Sequence, residues 1–117
     1  MKVLIVDDDW HICKLFTFFL KDYETSFVCK GKDVIDAVEQ FKPHAILLDL
    51  MLPDVDGYKI LQKLRSKEKY KNLVILVVTA KPFKSIDFVN QADEVLAKPL
   101  SRFTLLNKLK SLGIIPG

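Results

Sequence analysis

Lys2-Val3-Leu4-Ile5-Val6-Asp7-Asp8-Asp9 opens the chain with a short β-branched, apolar run that stops abruptly at three aspartates. Such a run reads as a buried strand. Downstream, Ile12, Leu15, Phe16, Phe19 and Leu20 recur at helical spacing, one face of an amphipathic helix, with Asp9 as its N-cap. The same alternation then repeats. Thr25 to Cys29 is a second strand, and Val34, Val38 and Phe41 stripe a second helix that Lys42-Pro43 ends. Ala45 to Leu48 is a third strand, closed by Asp49. Pro53 and Gly57 punctuate the next loop, and Ile60, Leu61 and Leu64 mark a third helix. Leu73 to Val78, the most apolar segment, suits a central strand buried on both faces. Ile86 and Val89 suggest a short fourth helix. Glu94 to Ala97 is a fifth strand stopped by Lys98-Pro99, and Phe103, Leu106 and Leu109 give a last helix ending near Gly113. Five strand-helix units imply a parallel sheet with right-handed crossovers and helices on both faces, a doubly wound α/β fold.

Length and composition agree. Five such units need about 110 residues, and the chain has 117, of which 50% are hydrophobic and 28% charged. That is one domain, spanning 1–117, with enough apolar material for a core and too much for a disordered chain. The longest apolar run falls far short of the roughly 20 residues a membrane helix needs. The aspartates follow Val6 too soon for a secretory signal. Two cysteines, Cys13 and Cys29, make no disulfide framework and no zinc spacing, so a cytoplasmic location is expected. A net charge of +3 does not by itself indicate a nucleic-acid partner. The basic run Lys63, Arg65, Lys67, Lys69 and Lys71 reads as a solvated helix end.

In an open parallel sheet, ligands sit at the carboxyl ends of the strands. The residues there are Asp7, Asp8 and Asp9 after the first strand, Asp49 after the third, Thr79 after the fourth and Lys98 after the fifth. Taken singly, an aspartate after a strand is usually a cap or turn residue. Taken jointly, crowded carboxylates call for a hard divalent cation, and magnesium prefers such oxygen ligands. A cation, a lysine and a hydroxyl together suit a transferring phosphoryl group, with Asp49 as its nucleophile.

The motifs Val6-Asp7-Asp8-Asp9, Ile46 to Gly57, Val78-Thr79-Ala80 and Ala97-Lys98-Pro99-Leu100 resemble the receiver domains of two-component response regulators over the whole chain. The resemblance implies a flavodoxin-like (βα)5 fold with strand order 2-1-3-4-5. It implies that Asp49 accepts phosphate from a histidine kinase or phosphotransfer protein, and that the domain switches a downstream effector. Asp8 and Asp49, the Met51 backbone carbonyl and Asp7 through water would hold magnesium, with manganese as a substitute. Thr79 and Lys98 would bond the phosphoryl group, Pro53 and Gly57 would shape the loop after Asp49, and the Lys98-Pro99 bond is often cis in the family. A signalling module rather than a turnover enzyme is expected, as a monomer or a phosphorylation-dependent dimer, without nucleic-acid binding or membrane insertion.

The sequence also departs from the family pattern. Val95 stands three positions before Lys98, where many members carry an aromatic switch residue, and the stretch from Thr79 to Lys98 is about three residues short at the expense of the fourth helix. Output is expected to differ accordingly. Met51 cannot orient a water, and Lys81 could attract phosphate or block access, so slow self-hydrolysis is expected. A haloacid-dehalogenase-type hydrolase is the main alternative, but it would want a second acid where Met51 stands. A flavin binder would be repelled by the triple aspartate, and a non-phosphorylated pseudo-receiver would not need all five site residues.

Overall fold

The computed structural model describes residues 1–80 and 91–117. The helix expected around Ile86 and Val89, and Lys81, lie outside the described residues. Five strands, β1 (Lys2–Val6), β2 (Glu24–Val28), β3 (Ala45–Leu48), β4 (Val74–Thr79) and β5 (Glu94–Ala97), form one parallel sheet in the order β2-β1-β3-β4-β5. Four helices are described: α1 (Trp10–Phe19), α2 (Val34–Phe41), α3 (Gly57–Arg65) and α4 (Arg102–Ser111). None is long and apolar enough to cross a membrane.

Strands β1, β3 and β4 read as near-continuous apolar runs because both sheet faces are covered there, whereas β2, at the edge, carries Glu24, Thr25 and Ser26. Val3, Ile5, Leu47, Leu76 and Val78 point to one face and meet Cys13 and Phe16 of α1 and Leu105 and Leu109 of α4. Leu4, Val6, Ile46, Leu48, Ile75 and Val77 point to the other and meet Val34, Val38, Ile60, Leu61 and Leu64 of α2 and α3. Three helices start on side-chain caps: Asp9 accepts from the His11 N–H at 2.8 Å, Asp56 from Tyr58 at 2.9 Å and Ser101 from Thr104 at 3.1 Å. Helix α2 ends where Lys42 takes a left-handed φ of 52°, just before Pro43.

The expected elements shift in places. Strand β2 lies one residue earlier than expected, and β4 runs one residue later, taking Thr79 into the strand. In α1, Cys13 is buried while Leu15 is exposed and Phe19 only half-buried. In α4, Leu105 and Leu109 carry the core, Leu106 is half-buried and Phe103 is 75% exposed. Both helices offer interleaved apolar rows, and docking on the sheet selects which row is buried. Phe16 is buried as expected, whereas Phe41 is half-buried.

Arg65 departs further from the solvated helix end expected of it. Its guanidinium donates from Nε to the Gln91 carbonyl (2.7 Å), from Nη1 to the Leu73 carbonyl (2.8 Å) and from Nη2 to Asp93 Oδ2 (2.7 Å). Asp93 in turn accepts from the Ile75 N–H at 2.7 Å. One side chain thus ties the end of α3 to the starts of β4 and β5. Among its basic neighbours, Lys69 pairs with Glu39 and Lys71 with Glu68.

Gly57 allows α3 to begin against the strand-three loop. A Cβ there would lie 2.4 Å from Leu50 Cα, a backbone atom that cannot move aside cheaply. Gly57→Ala is expected to lower stability by about 2–3 kcal/mol through overpacking, measured as a shifted urea midpoint.

Candidate functional site

The sheet ladder brings the site together. Val6 is in register with both Val28 and Leu48, and Thr79 with Ala97. The ladder then continues one residue beyond the strands: Asp49 N–H donates to the Val6 carbonyl (3.0 Å) and Lys98 N–H to the Thr79 carbonyl (2.9 Å). Asp7, Asp49 and Lys98 therefore converge on the carboxyl edge, with Thr79 ending the neighbouring β4. The Lys98-Pro99 bond is cis.

Asp7 and Asp49 are almost fully buried, and Thr79 is completely buried. Asp8 is exposed at the mouth. One oxygen of Asp7 accepts from the Asp9 N–H and one of Asp49 from the Met51 N–H, both at 2.9 Å. Their remaining oxygens face Lys98, whose Nζ pairs with Asp7 Oδ2 and, at 3.0 Å, with Asp49 Oδ2. Carboxylate oxygens of Asp7, Asp8 and Asp49 all lie within 4.8 Å of one another. This is an all-oxygen donor set open to solvent on one side, which fits a hard cation such as magnesium. The Met51 side chain is half exposed, between buried Leu50 and Leu52.

The electrostatics follow from burial. Desolvation raises the Asp7 pKa above its ordinary value, against the lowering effect of Lys98 and the Asp9 N–H. Burial pulls Lys98 down, but its hydrogen bonds to Asp7 and Asp49 outweigh it, and the ammonium is held above its ordinary range. Raised values favour the protonated forms in the folded state. The Lys98 contribution is therefore present below its ordinary pKa of 10.5 and lost as pH climbs through the raised value. For Asp7, stability is present below 3.8 and lost as pH rises through the raised value, so ionised Asp7 burdens the metal-free fold at neutral pH. Asp7→Asn is accordingly expected to raise the thermal midpoint of the metal-free protein at pH 7 and to flatten its acid-side pH profile.

Of two neighbours, Cys13 is the buried apolar group its sequence context suggests, and Asp54 carried no clear sequence signal. The buried Cys13 thiol donates to the Asp7 carbonyl at 3.3 Å. Burial, with Cys29 alongside, pushes Cys13 up to about 12, so it supplies no thiolate nucleophile near neutral pH. Asp54 reaches across to the β2–α2 connection, a contact between loops more than 20 residues apart in sequence. Val95 sits on β5, half-buried against the α2 and α3 side of the core. A cavity of about 590 Å³, lined by Val38, His44, Tyr70, Leu112 and Ile114 among others, lies at the opposite end of the sheet from the acidic cluster.

Comparison with known proteins agrees with this geometry. The family model described as the response regulator receiver domain matches residues 3–110. The uncharacterized transcriptional regulatory protein YclJ of Bacillus subtilis is 32% identical, over 96% of this chain and 50% of its own length. The chain thus spans half the length of that curated relative. Among solved structures, the chemotaxis protein CheY4 of Vibrio cholerae is 26% identical, with a TM-score of 0.83 over 95% of this chain and 97% of that one. A CheY-like response regulator receiver domain from Methylobacillus flagellatus, 24% identical over 96% of this chain and 98% of its own, superposes with a TM-score of 0.87 and attests the shared fold.

Proposed function

The chain belongs to the response regulator receiver domain family, and from that premise we propose that it is a phosphorylation-dependent switch in which Asp49 is the phosphoacceptor. Receiver domains serve phosphorelay signalling and are generally switches rather than turnover enzymes. The observation that carries the assignment to Asp49 is the pairing of Lys98 with both Asp7 and Asp49 at the carboxyl edge, which sets a cation beside the carboxylate where a phosphoryl group would be received.

Asp49 Oδ attacks the phosphorus of a phosphohistidine on a histidine kinase or phosphotransfer protein. The P–O bond forms as the P–N bond breaks and the imidazole leaves. Lys98 exchanges its Asp49 contact for a phosphoryl oxygen, so the ammonium stays paired throughout. Thr79, at the end of β4, supplies a hydroxyl donor to a second oxygen. Asp7, Asp8, Asp49 and the Met51 carbonyl would hold magnesium, which when bound neutralises charge on the phosphoryl oxygens. Residues 1–117 act as one receiver domain, cytoplasmic, a monomer or a phosphorylation-dependent dimer. Its output goes to an effector protein or domain and not directly to nucleic acid. Val95 in the switch position alters how β5 signals, and Met51 leaves the adduct slow to hydrolyse.

The test is incubation with acetyl phosphate and magnesium, followed by intact mass. One phosphoryl adduct that disappears when magnesium is chelated is the expected result. Absence of an adduct at saturating donor and metal would overturn the reading.

A further inference from the structure

The loop from Asp49 to Gly57 must hold two magnesium-binding groups, the Asp49 carboxylate and the Met51 carbonyl. Its anchors are unevenly spread. Leu50 and Leu52 are buried, and Asp56 is fixed as the cap of α3. Met51 itself is half exposed, so its side chain is a weaker anchor than those of Leu50 and Leu52. Between Leu52 and Asp56 the chain runs over the surface. There, Asp54 Oδ1 accepts from the Gly31 N–H at 2.9 Å and Oδ2 from the Lys32 N–H at 3.1 Å. These amides open the helical turn Gly31–Asp33 that leads into α2, so they have no partner within that turn. The Gly31 and Lys32 amides also hold the Asp54 carboxyl below its ordinary range. Beside this clamp Val55 rests on Gly31, where an added Cβ would lie 2.8 Å from Val55 Cβ.

We propose that Asp54 is a positioning residue for the metal site: by clamping the β3–α3 loop onto the β2–α2 connection, it sets the path of the backbone that presents the Met51 carbonyl. The proposal rests on the magnesium-dependent reading of the acidic cluster. Magnesium demands near-ideal octahedral geometry, whereas calcium accepts irregular and expanded coordination. A clamp that fixes the loop's path therefore matters more for magnesium than for calcium. A residue that merely held the fold together would weaken both ions alike.

Calorimetric titration of the intact protein with Mg²⁺ and with Ca²⁺ tests this, alongside amide hydrogen exchange at Gly31 and Lys32. Asp54→Ala is expected to expose both amides and to weaken Mg²⁺ roughly tenfold, the lower end for lost outer partners of a metal ligand. The Ca²⁺ affinity should move by less than about threefold. Asp54→Asn keeps one acceptor oxygen, for the Gly31 N–H, but sets its amide nitrogen against the Lys32 N–H, so it should recover part of the Mg²⁺ affinity. Exposed amides with unchanged Mg²⁺ affinity, amides that stay protected, equal losses for both ions, or no recovery in Asp54→Asn would each overturn the proposal while leaving the phosphoacceptor reading intact. A wild-type protein that binds no Mg²⁺ would remove both.

Discussion

After treatment with acetyl phosphate and magnesium, the Asp49→Asn protein is expected to carry no phosphoryl group at all. Asparagine matches aspartate in size, and its carbonyl oxygen can still accept the Met51 N–H that Asp49 Oδ1 accepts at 2.9 Å. The loop geometry is thus preserved while the nucleophile is lost, because a neutral amide oxygen does not attack phosphorus at a useful rate. The other acids are poorly placed to substitute. Asp7 is buried and committed to Lys98 and the Asp9 N–H, and Asp8 is exposed, outside the pair that Lys98 bridges. The substitution also removes one of three carboxylates crowded at the edge while Lys98 keeps Asp7, so the metal-free variant should be no less stable than the wild type. An adduct of undiminished yield in this variant would move the phosphoacceptor to another residue and overturn the assignment.

The second large effect concerns stability. Arg65→Met is expected to destabilise the protein by about 2–3 kcal/mol, read from chemical unfolding. Methionine preserves the apolar stem but takes the guanidinium donor from the Gln91 and Leu73 carbonyls and leaves the Asp93 carboxylate with the Ile75 N–H. Each lost partner of a part-buried group costs on the order of 1 kcal/mol or more. The ion-pair share is the smaller one, since the Asp93 side chain is 38% exposed and solvent screens it. Asp93→Asn should therefore cost clearly less than Arg65→Met, because Arg65 keeps its two short carbonyl bonds. Equal costs for the two would show that the ion pair, and not carbonyl satisfaction, dominates.

These two residues mark how far the sequence could be read. Asp49 was legible because it ends an apolar run, and the end of a parallel strand has only one place to go. Asp7, Thr79 and Lys98 share that property. Arg65 was not legible: it stands in a lysine-rich stretch, and its inward turn depends on carbonyls at Leu73 and Gln91 that meet only when β4 and β5 pair. Asp54 lies in a turn whose composition predicts a turn and no more, yet it clamps Gly31 from 23 residues away. The stripes expected of α1 and α4 failed at Leu15 and Phe103 for a related reason. Each helix carries two apolar rows, and only contact with the sheet left Leu15 exposed and buried Leu105 over Phe103.

Local patterning alone was thus enough for the order of the described elements, the two-sided burial of the central strands and the acidic residues at the strand ends, because periodicity and chain direction are properties of neighbouring residues. Folding in three dimensions decided which oxygens Lys98 bridges, how burial raises Asp7, and which exposed polar side chains became structural ties. Those outcomes depend on distance and solvent exclusion between segments far apart in the chain, and neither quantity exists until the sheet has closed its ladder around them.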